Sequence, residues 1–198
     1  MFTLIKLSSI LLFVILLTGC THKIEITPNN DKITNANYEI EKKDYNVGYY
    51  MENMNLLVVS PGGGGDKISY LPYDETESAF RSVLVKHFKK VYAVDNINSK
   101  EFISNNDIRL IFNYKINTYS FSDSSFTWPP TKFIITLDCK AVNKDGITIW
   151  KKTLTDEGNA HFDEFKYDFS LAAKRASENV FRKLLFALNE KELKEVNK

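Results

Sequence analysis

A run of four glycines at residues 62–65 is the first feature of this sequence whose residue types and spacing suit a particular chemistry. Glycine-rich loops bind phosphate groups when a lysine directly follows the last glycine and a helix begins there. Here Asp66 separates Gly65 from Lys67, which places a carboxylate where a phosphate would bind. The spacing therefore argues against a nucleotide site. Two interpretations remain open: a flexible surface loop between a strand and a helix, or a partner-binding loop formed by Gly62, Gly63, Gly64 and Gly65.

A second unusual segment, residues 120–133, reads S-F-S-D-S-S-F-T-W-P-P-T-K-F. Its two prolines cannot donate backbone hydrogen bonds, and they stiffen the chain. Aromatic side chains on a stiff loop suit contact with proteins or glycans, because they bury a large area and lose few rotamers. The alternative is that these aromatic side chains fold back over the sheet. The candidate partner-binding residues of this segment are Phe126, Trp128, Pro129 and Pro130.

Residues typical of hydrolytic or metal-assisted catalysis are few. The chain has three histidines, and its sequence contains neither a G-x-S-x-G nor an H-E-x-x-H motif. His87 has the spacing of a helix face that packs inwards, whereas His161 lies among acidic residues, where a metal site is a minor alternative. We therefore expect a protein that is not an enzyme, with no catalytic residue, no cofactor and no metal.

The N-terminus carries the most specific signal in the chain. Lys6 precedes an apolar stretch at residues 7–17, which is shorter than the ~20 residues that span a bilayer and fits a secretory signal peptide. The stretch ends in Leu-Thr-Gly-Cys, which resembles the lipobox of bacterial lipoproteins. That resemblance implies that Cys20 receives diacylglycerol, with acyl chains such as palmitate, before the chain is cleaved after residue 19. Since Thr21 is not Asp, it also implies sorting to the outer membrane. The alternative is an ordinary signal peptide followed by a chance cysteine.

Charge and cysteine content narrow the possible partners. The net charge is +1, and Lys6 is the charged residue of the predicted signal peptide, so the mature chain is neutral. Binding to nucleic acid needs a basic surface, and the composition therefore argues against nucleic acid as a partner. Once Cys20 is acylated, Cys139 is the remaining cysteine, and its alternation with Ile135 and Leu137 predicts a buried, unreactive thiol.

The polar segment at residues 20–40 has little periodicity, and we interpret it as a lipidated cysteine followed by a flexible tether about 25 Å long. Residues 41–198 then form a single periplasmic domain. Helical spacing predicts helices over residues 75–89, with Asp74 as N-cap, and over residues 169–188. Strands are predicted at residues 45–51, 56–59, 91–94, 107–121, 132–142 and 147–155, with a tight turn at 143–146. This order indicates an α+β fold, a mostly antiparallel sheet with two helices packed on one face.

Three segments of the chain resemble an uncharacterised family of proteobacterial lipoproteins: residues 61–70, 126–133 and 169–178. The resemblance implies anchoring in the outer membrane and a domain on its periplasmic face, and it implies no activity. We therefore expect a non-enzymatic accessory or adaptor protein of an envelope assembly, with an envelope protein as its partner. The alternatives are a periplasmic module that binds a ligand, glycan or lipid, and, third, a hydrolase acting on envelope material.

Overall fold

The structure is a computed structural model that describes residues 20–35, 40–123, 127–189 and 193. The predicted signal peptide, residues 1–19, lies outside the described residues, as does Phe126 of the aromatic segment. The helices are α1 (Asn30–Thr34), α2 (Pro72–His87), α3 (Lys100–Asn105), α4 (Phe162–Phe165) and α5 (Leu171–Ala187). The strands are β1 (Thr21–Lys23), β2 (Lys43–Tyr49), β3 (Val58–Gly63), β4 (Asp66–Tyr70), β5 (Phe88–Ala93), β6 (Ile108–Phe121), β7 (Lys132–Asn143) and β8 (Thr148–Asn159).

The strands form two sheets, and both sheets are mixed. The larger has the order β5-β2-β6-β7-β8, in which β2 runs parallel to β5 and β6, and β6, β7 and β8 are antiparallel. The smaller has the order β1-β4-β3, with β1 and β4 parallel. The α+β class is confirmed. Of the predicted antiparallel sheet, β6, β7 and β8 pair as expected, whereas β2 pairs in parallel with both of its neighbours. The chain between β2 and β5 includes α2, which reverses its direction and lets the two strands pair in parallel.

The two long helices both contact Tyr114 in the middle of β6. Phe80 of α2 lies 4.7 Å from the Tyr114 ring between centroids, and Phe181 of α5 lies 5.9 Å away. The buried hydroxyls of Thr76 and Tyr114 are 2.6 Å apart. These contacts join both helices and the sheet into one hydrophobic core.

The predicted flexible tether is wrong for residues 21–35, which are part of this core. Ile24, Ile26 and Ile33 are 2%, 0% and 0% exposed. The backbone N–H of Ile26 donates to the Glu75 carboxylate of α2 at 2.6 Å. The apolar residues stand between polar ones, so the segment reads as hydrophilic although alternate side chains face the core.

The start of α2 also differs from its prediction. The helix begins at Pro72, whose fixed φ suits the first helical position, and its N-cap is Leu71 rather than Asp74. The backbone N–H of Leu71 donates to Glu75 Oε1 at 3.0 Å, so a carboxylate from the first turn satisfies it. The predicted turn at 143–146 is confirmed between β7 and β8, with Gly146 at φ +78°.

Helix α5 covers part of the outer edge of β8. Three of its side chains, four residues apart, donate to every second carbonyl of the strand: Arg175 to Asn159, Asn179 to Glu157 and Lys183 to Thr155, at 2.7, 2.9 and 2.7 Å. These bonds occupy acceptors that would otherwise be open to another strand.

Candidate functional site at Cys20

The glycine run forms a β-hairpin between β3 and β4, and no helix follows it directly. Gly63 pairs with Asp66 across the turn. The two turn residues, Gly64 and Gly65, have φ of +59° and +87°, the left-handed conformation that glycine adopts at little cost. The interpretation as a flexible loop between a strand and a helix is therefore wrong, and the partner-binding interpretation stays a prediction. The run is a tight turn whose tip, Gly64 and Gly65, is exposed.

The hairpin packs closely against the aromatic segment. A Cβ added to Gly63 would lie 2.1 Å from the carbonyl oxygen of Thr127 and 2.8 Å from Ser122 Cβ. The hydroxyl of Ser120 donates to the carbonyl of Pro61 at 2.6 Å. The structure therefore brings together the two segments that the sequence singled out separately, and Gly63 permits the close approach.

Cys20 lies beside strand β4 of this hairpin and is hydrogen-bonded to it. Its backbone N–H donates to Asp66 Oδ1 at 2.8 Å, and its carbonyl accepts from the N–H of Lys67 at 2.8 Å. The following strand, β1, continues this pairing in parallel with β4. Cys20 is exposed, yet both its backbone polar groups are held by the folded domain.

His22 links Cys20 to the aromatic segment. Its Nε2 lies 3.1 Å from Asp66 Oδ2, and its ring centroid lies 4.1 Å from that of Trp128. Trp128 in turn lies 5.1 Å from Phe169. We call these five residues the Cys20 corner: Cys20, His22, Asp66, Trp128 and Phe169. The sequence did not reveal the roles of His22, Asp66 and Phe169, because the pairing that unites them joins residues more than forty positions apart.

Not every predicted contact residue is available to a partner. Gly62, Pro129 and Pro130 are buried. Their prediction as exposed contact residues is therefore wrong, and they pack in the interior instead. The peptide bond between Trp128 and Pro129 is cis. Trp128 is half-buried and packs against the main core, partly as the alternative interpretation expected.

A metal ion is chemically conceivable at the corner. A sulfur of Cys20, a ring nitrogen of His22 and a carboxylate oxygen of Asp66 all lie within 4.8 Å of one another. Thiolate, imidazole and carboxylate are ligands that Zn²⁺ accepts. Attachment of a diacylglyceryl group to Cys20 would alkylate the sulfur to a thioether and remove the thiolate ligand. Asp66 already accepts hydrogen bonds from Cys20 and His22. We therefore assign no metal to this cluster.

The other two candidate groups, His87 and Cys139, are buried in the core. His87 is fully buried, its Nε2 lies 2.8 Å from the carbonyl oxygen of Leu185, and burial, with a smaller contribution from nearby Lys43, lowers its pKa to about 4. Cys139 is 1% exposed, and burial raises the pKa of its thiol, which confirms the buried position and favours the unreactive protonated form.

His161 is exposed at the start of α4, and its backbone N–H donates to Glu164 Oε2 at 3.1 Å. Hydrogen bonds from Arg175, and then from that N–H, lower the pKa of Glu164 to about 2. The carboxylate is thus engaged as an ion-pair partner of Arg175 and as a cap of α4.

The opposite end of the molecule contains an open depression of about 450 Å³. Its lining is largely charged or polar: Lys100, Ile103, Ser104, Asp107, Ile108, Lys144 and Asp145. It differs from the apolar cavity between sheet and helices that a lipid-binding module would need.

Among the helices of the described ranges, none combines the length and the apolar character needed to cross a membrane. No family model matches the sequence, and no curated protein matches it significantly.

Several solved structures resemble the chain. A Xanthomonas campestris protein of family DUF330 has a TM-score of 0.54 at 11% sequence identity, covering 91% of this chain and 100% of that chain. Two others carry provisional names. A lipoprotein from Caulobacter crescentus has a TM-score of 0.35 at 10% identity, covering 74% and 87% of the two chains. A neuraminyllactose-binding hemagglutinin homologue from Helicobacter pylori has a TM-score of 0.45 at 10% sequence identity, covering 80% of this chain and 93% of that chain. The first likeness supports the fold, and at such identity it extends no further.

Proposed function

We propose that the protein is a lipoprotein, anchored through acylated Cys20 on the periplasmic face of the outer membrane. In this proposal it acts without catalysis, as an accessory or adaptor of an envelope assembly. The observation that carries the proposal is the position of Cys20. The lipobox-like sequence ends at a cysteine whose side chain is exposed and whose backbone is already bonded to the folded domain.

The chemistry at Asp66 supports acylation at this residue. Acylation of a cysteine α-amine yields an amide that retains one N–H, so the bond from Cys20 to Asp66 Oδ1 is compatible with the modified chain. Before that step, the free amine would carry a positive charge beside the carboxylate, which is also favourable. Asp66 thus suits both stages of processing.

The proposed protein-contact surface is the exposed tip of the hairpin, Gly64 and Gly65. The type of turn and the packing of Gly63 on Thr127 hold this surface in one conformation, so a partner binding there pays little to order it. A partner that binds the tip of the hairpin would lie close to the membrane, because the proposed anchor residue, Cys20, is hydrogen-bonded to the same hairpin.

The second candidate is a periplasmic module that binds a small ligand. The depression beside α3 is the observation that favours it, and its Lys100, Lys144, Asp107 and Asp145 would select a polar or charged molecule. A lipid is disfavoured as the ligand of that site by the same charges.

Photo-crosslinking in cells tests the adaptor proposal. A photoreactive residue replaces the exposed Lys67, next to the hairpin turn, or in a matched control the exposed Lys144, next to the turn at the other end. We expect a discrete protein adduct from position 67 and none from position 144. A protein adduct from position 144 alone would move the contact surface to the opposite end. Silence at both positions, with the protein confirmed in the outer membrane, would contradict the adaptor role and favour the ligand-binding module.

A further inference from the structure

We propose that the Cys20 corner rests directly on the lipid bilayer, with Trp128 and Phe169 at the depth of the lipid headgroups. This inference rests on the proposed acylation of Cys20 and adds an orientation for the whole domain. The occupant of this exposed aromatic surface is then the membrane itself, and the depression beside α3 faces away from it.

The missing tether is the first argument. Thr21, the residue after Cys20, is already in β1 and paired with Lys67 of β4. The N–H and carbonyl of Cys20 are hydrogen-bonded to Asp66 and Lys67, both at 2.8 Å. No length of free chain separates the acylated sulfur from the domain. When the acyl chains enter the bilayer, the corner must therefore come to its surface.

The direction of the side chains is the second argument. Cys20 and His22 are two residues apart, so in an extended chain they project to the same side. Their sulfur and ring nitrogen indeed lie within 4.8 Å of each other. The His22 ring contacts Trp128, with centroids 4.1 Å apart. The acyl chains and the aromatic residues thus emerge from the same part of the surface.

The exposed aromatic side chains are the third argument. Phe169 is 53% exposed although it contacts Trp128, and Tyr167, two residues before it, is 84% exposed. Lys166 lies over the Tyr167 ring at 4.9 Å from the centroid. Tryptophan and tyrosine favour the membrane–water interface, where the ring meets apolar groups and its polar atom stays hydrated, and lysine there attracts anionic headgroups. These residue types suit a headgroup layer better than water.

The two ends of strand β6 mark opposite ends of the domain, so a reporter at the end far from Cys20 serves as a control for orientation. Its fourteen residues span about 40 Å between Ile108 and Phe121. The corner lies at the Phe121 end, since Ser120 bonds the hairpin, and α3 lies at the Ile108 end. Phe102 of α3 is 43% exposed, so a tryptophan placed there would report on the end that points away from the membrane.

The test uses the full chain, produced with its signal peptide, purified in detergent and reconstituted into vesicles of phosphatidylethanolamine and phosphatidylglycerol. Matched vesicles contain lipids brominated near the headgroup end of their acyl chains, which quench tryptophan on contact. The chain has two tryptophans, and Trp150 is 2% exposed, so Trp128→Phe isolates the contribution of Trp128. Phe102→Trp in the Trp128→Phe background is the control for orientation.

We expect brominated lipid to reduce the emission attributable to Trp128 roughly twofold, while Trp128→Phe and its Phe102→Trp derivative keep their emission. An acylated protein whose Trp128 emission is unchanged would overturn the inference and leave the proposed anchor intact. Quenching of the tryptophan at position 102 would also overturn it, because the domain would then lie on its side. Mass measurement of the N-terminal peptide separates these cases from a failure of acylation, which would overturn both proposals.

Discussion

Two buried side chains, those of Lys43 and His87, contact backbone carbonyls at the C-terminal end of α5. Lys43 Nζ donates to the carbonyl of Leu188 at 2.8 Å, and His87 Nε2 lies 2.8 Å from the carbonyl oxygen of Leu185. The last carbonyls of a helix lack partners within the helix and carry its partial negative charge. Lys43 and His87 therefore satisfy acceptors that burial would otherwise leave unpaired.

Burial of His87 makes stability depend on pH. The folded-state pKa, about 4, lies below the ordinary value of 6.5, so between these values the unfolded chain binds a proton that the folded chain does not. The stability that the neutral, buried His87 contributes to the free energy of unfolding is fully present above pH 6.5. It is lost as the pH falls from 6.5 towards 4. We expect this residue alone to lower the free energy of unfolding by about 3 kcal/mol across that window.

Urea unfolding at several pH values measures this effect. His87→Gln keeps a donor for the Leu185 carbonyl but does not titrate, so its stability should fall less than that of the wild type between pH 6.5 and 4. His161→Gln, at an exposed position, should follow the wild type. Parallel pH profiles for the wild type and His87→Gln would show that His87 is not the group responsible.

At the scale of elements, the contact between α5 and β8 depends on one glycine. A Cβ on Gly158 would lie 2.1 Å from the carbonyl oxygen of Ala172 and 2.3 Å from the backbone nitrogen of Ala176. Both are backbone atoms, so relief requires the whole helix to shift. The helix can thus lie directly on the strand because residue 158 has no side chain.

Gly158→Ala should therefore destabilise the domain by about 3 kcal/mol through overpacking. Gly65→Ala is the matched control, since its Cβ meets nothing within 4 Å and the cost of about 1 kcal/mol comes from its positive φ alone. Thermal unfolding followed by circular dichroism compares the two. Equal losses of stability would mean that the helix moves freely and the close contact is unimportant.

Elements with long, regular patterns were predictable, and elements made by distant pairing were not. The fourteen alternating residues of β6 and the helical stripe of α5 carry their own signal. In contrast, β1 has three residues, all polar, and becomes a strand only because β4 lies beside it. The Cys20 corner depends on that pairing, so the sequence identified its glycines and Trp128 but did not bring them together with Cys20.

At the scale of the whole molecule, the N-terminal segment is part of the domain. Its Ile24, Ile26 and Ile33 belong to the main core. A tether would lift the domain from the membrane, whereas in the proposed arrangement this segment holds an acylated Cys20 against the domain. Burial of the segment is thus the structural basis for the proposed orientation.

Ile26→Ala should lower the free energy of unfolding by about 3 kcal/mol, because the side chain is 0% exposed and its loss leaves a cavity. Thr27→Ala, at the adjacent exposed position, should change it by less than about 0.5 kcal/mol. Denaturant unfolding of both variants measures the difference. If Ile26→Ala were as stable as Thr27→Ala, the segment would be dispensable to the fold, as a tether would be.

The most direct test of the account is the mass of the N-terminal peptide of the protein isolated from membranes, with Cys20→Ala as the matched variant. We predict a mature peptide that begins at Cys20 and carries acyl chains, and a variant that is neither processed at that residue nor retained in the outer membrane. A mature peptide with an unmodified Cys20 thiol, or one cleaved elsewhere, would contradict the proposed lipid anchor. It would also contradict the adaptor role at the outer membrane and the orientation of the Cys20 corner on the bilayer.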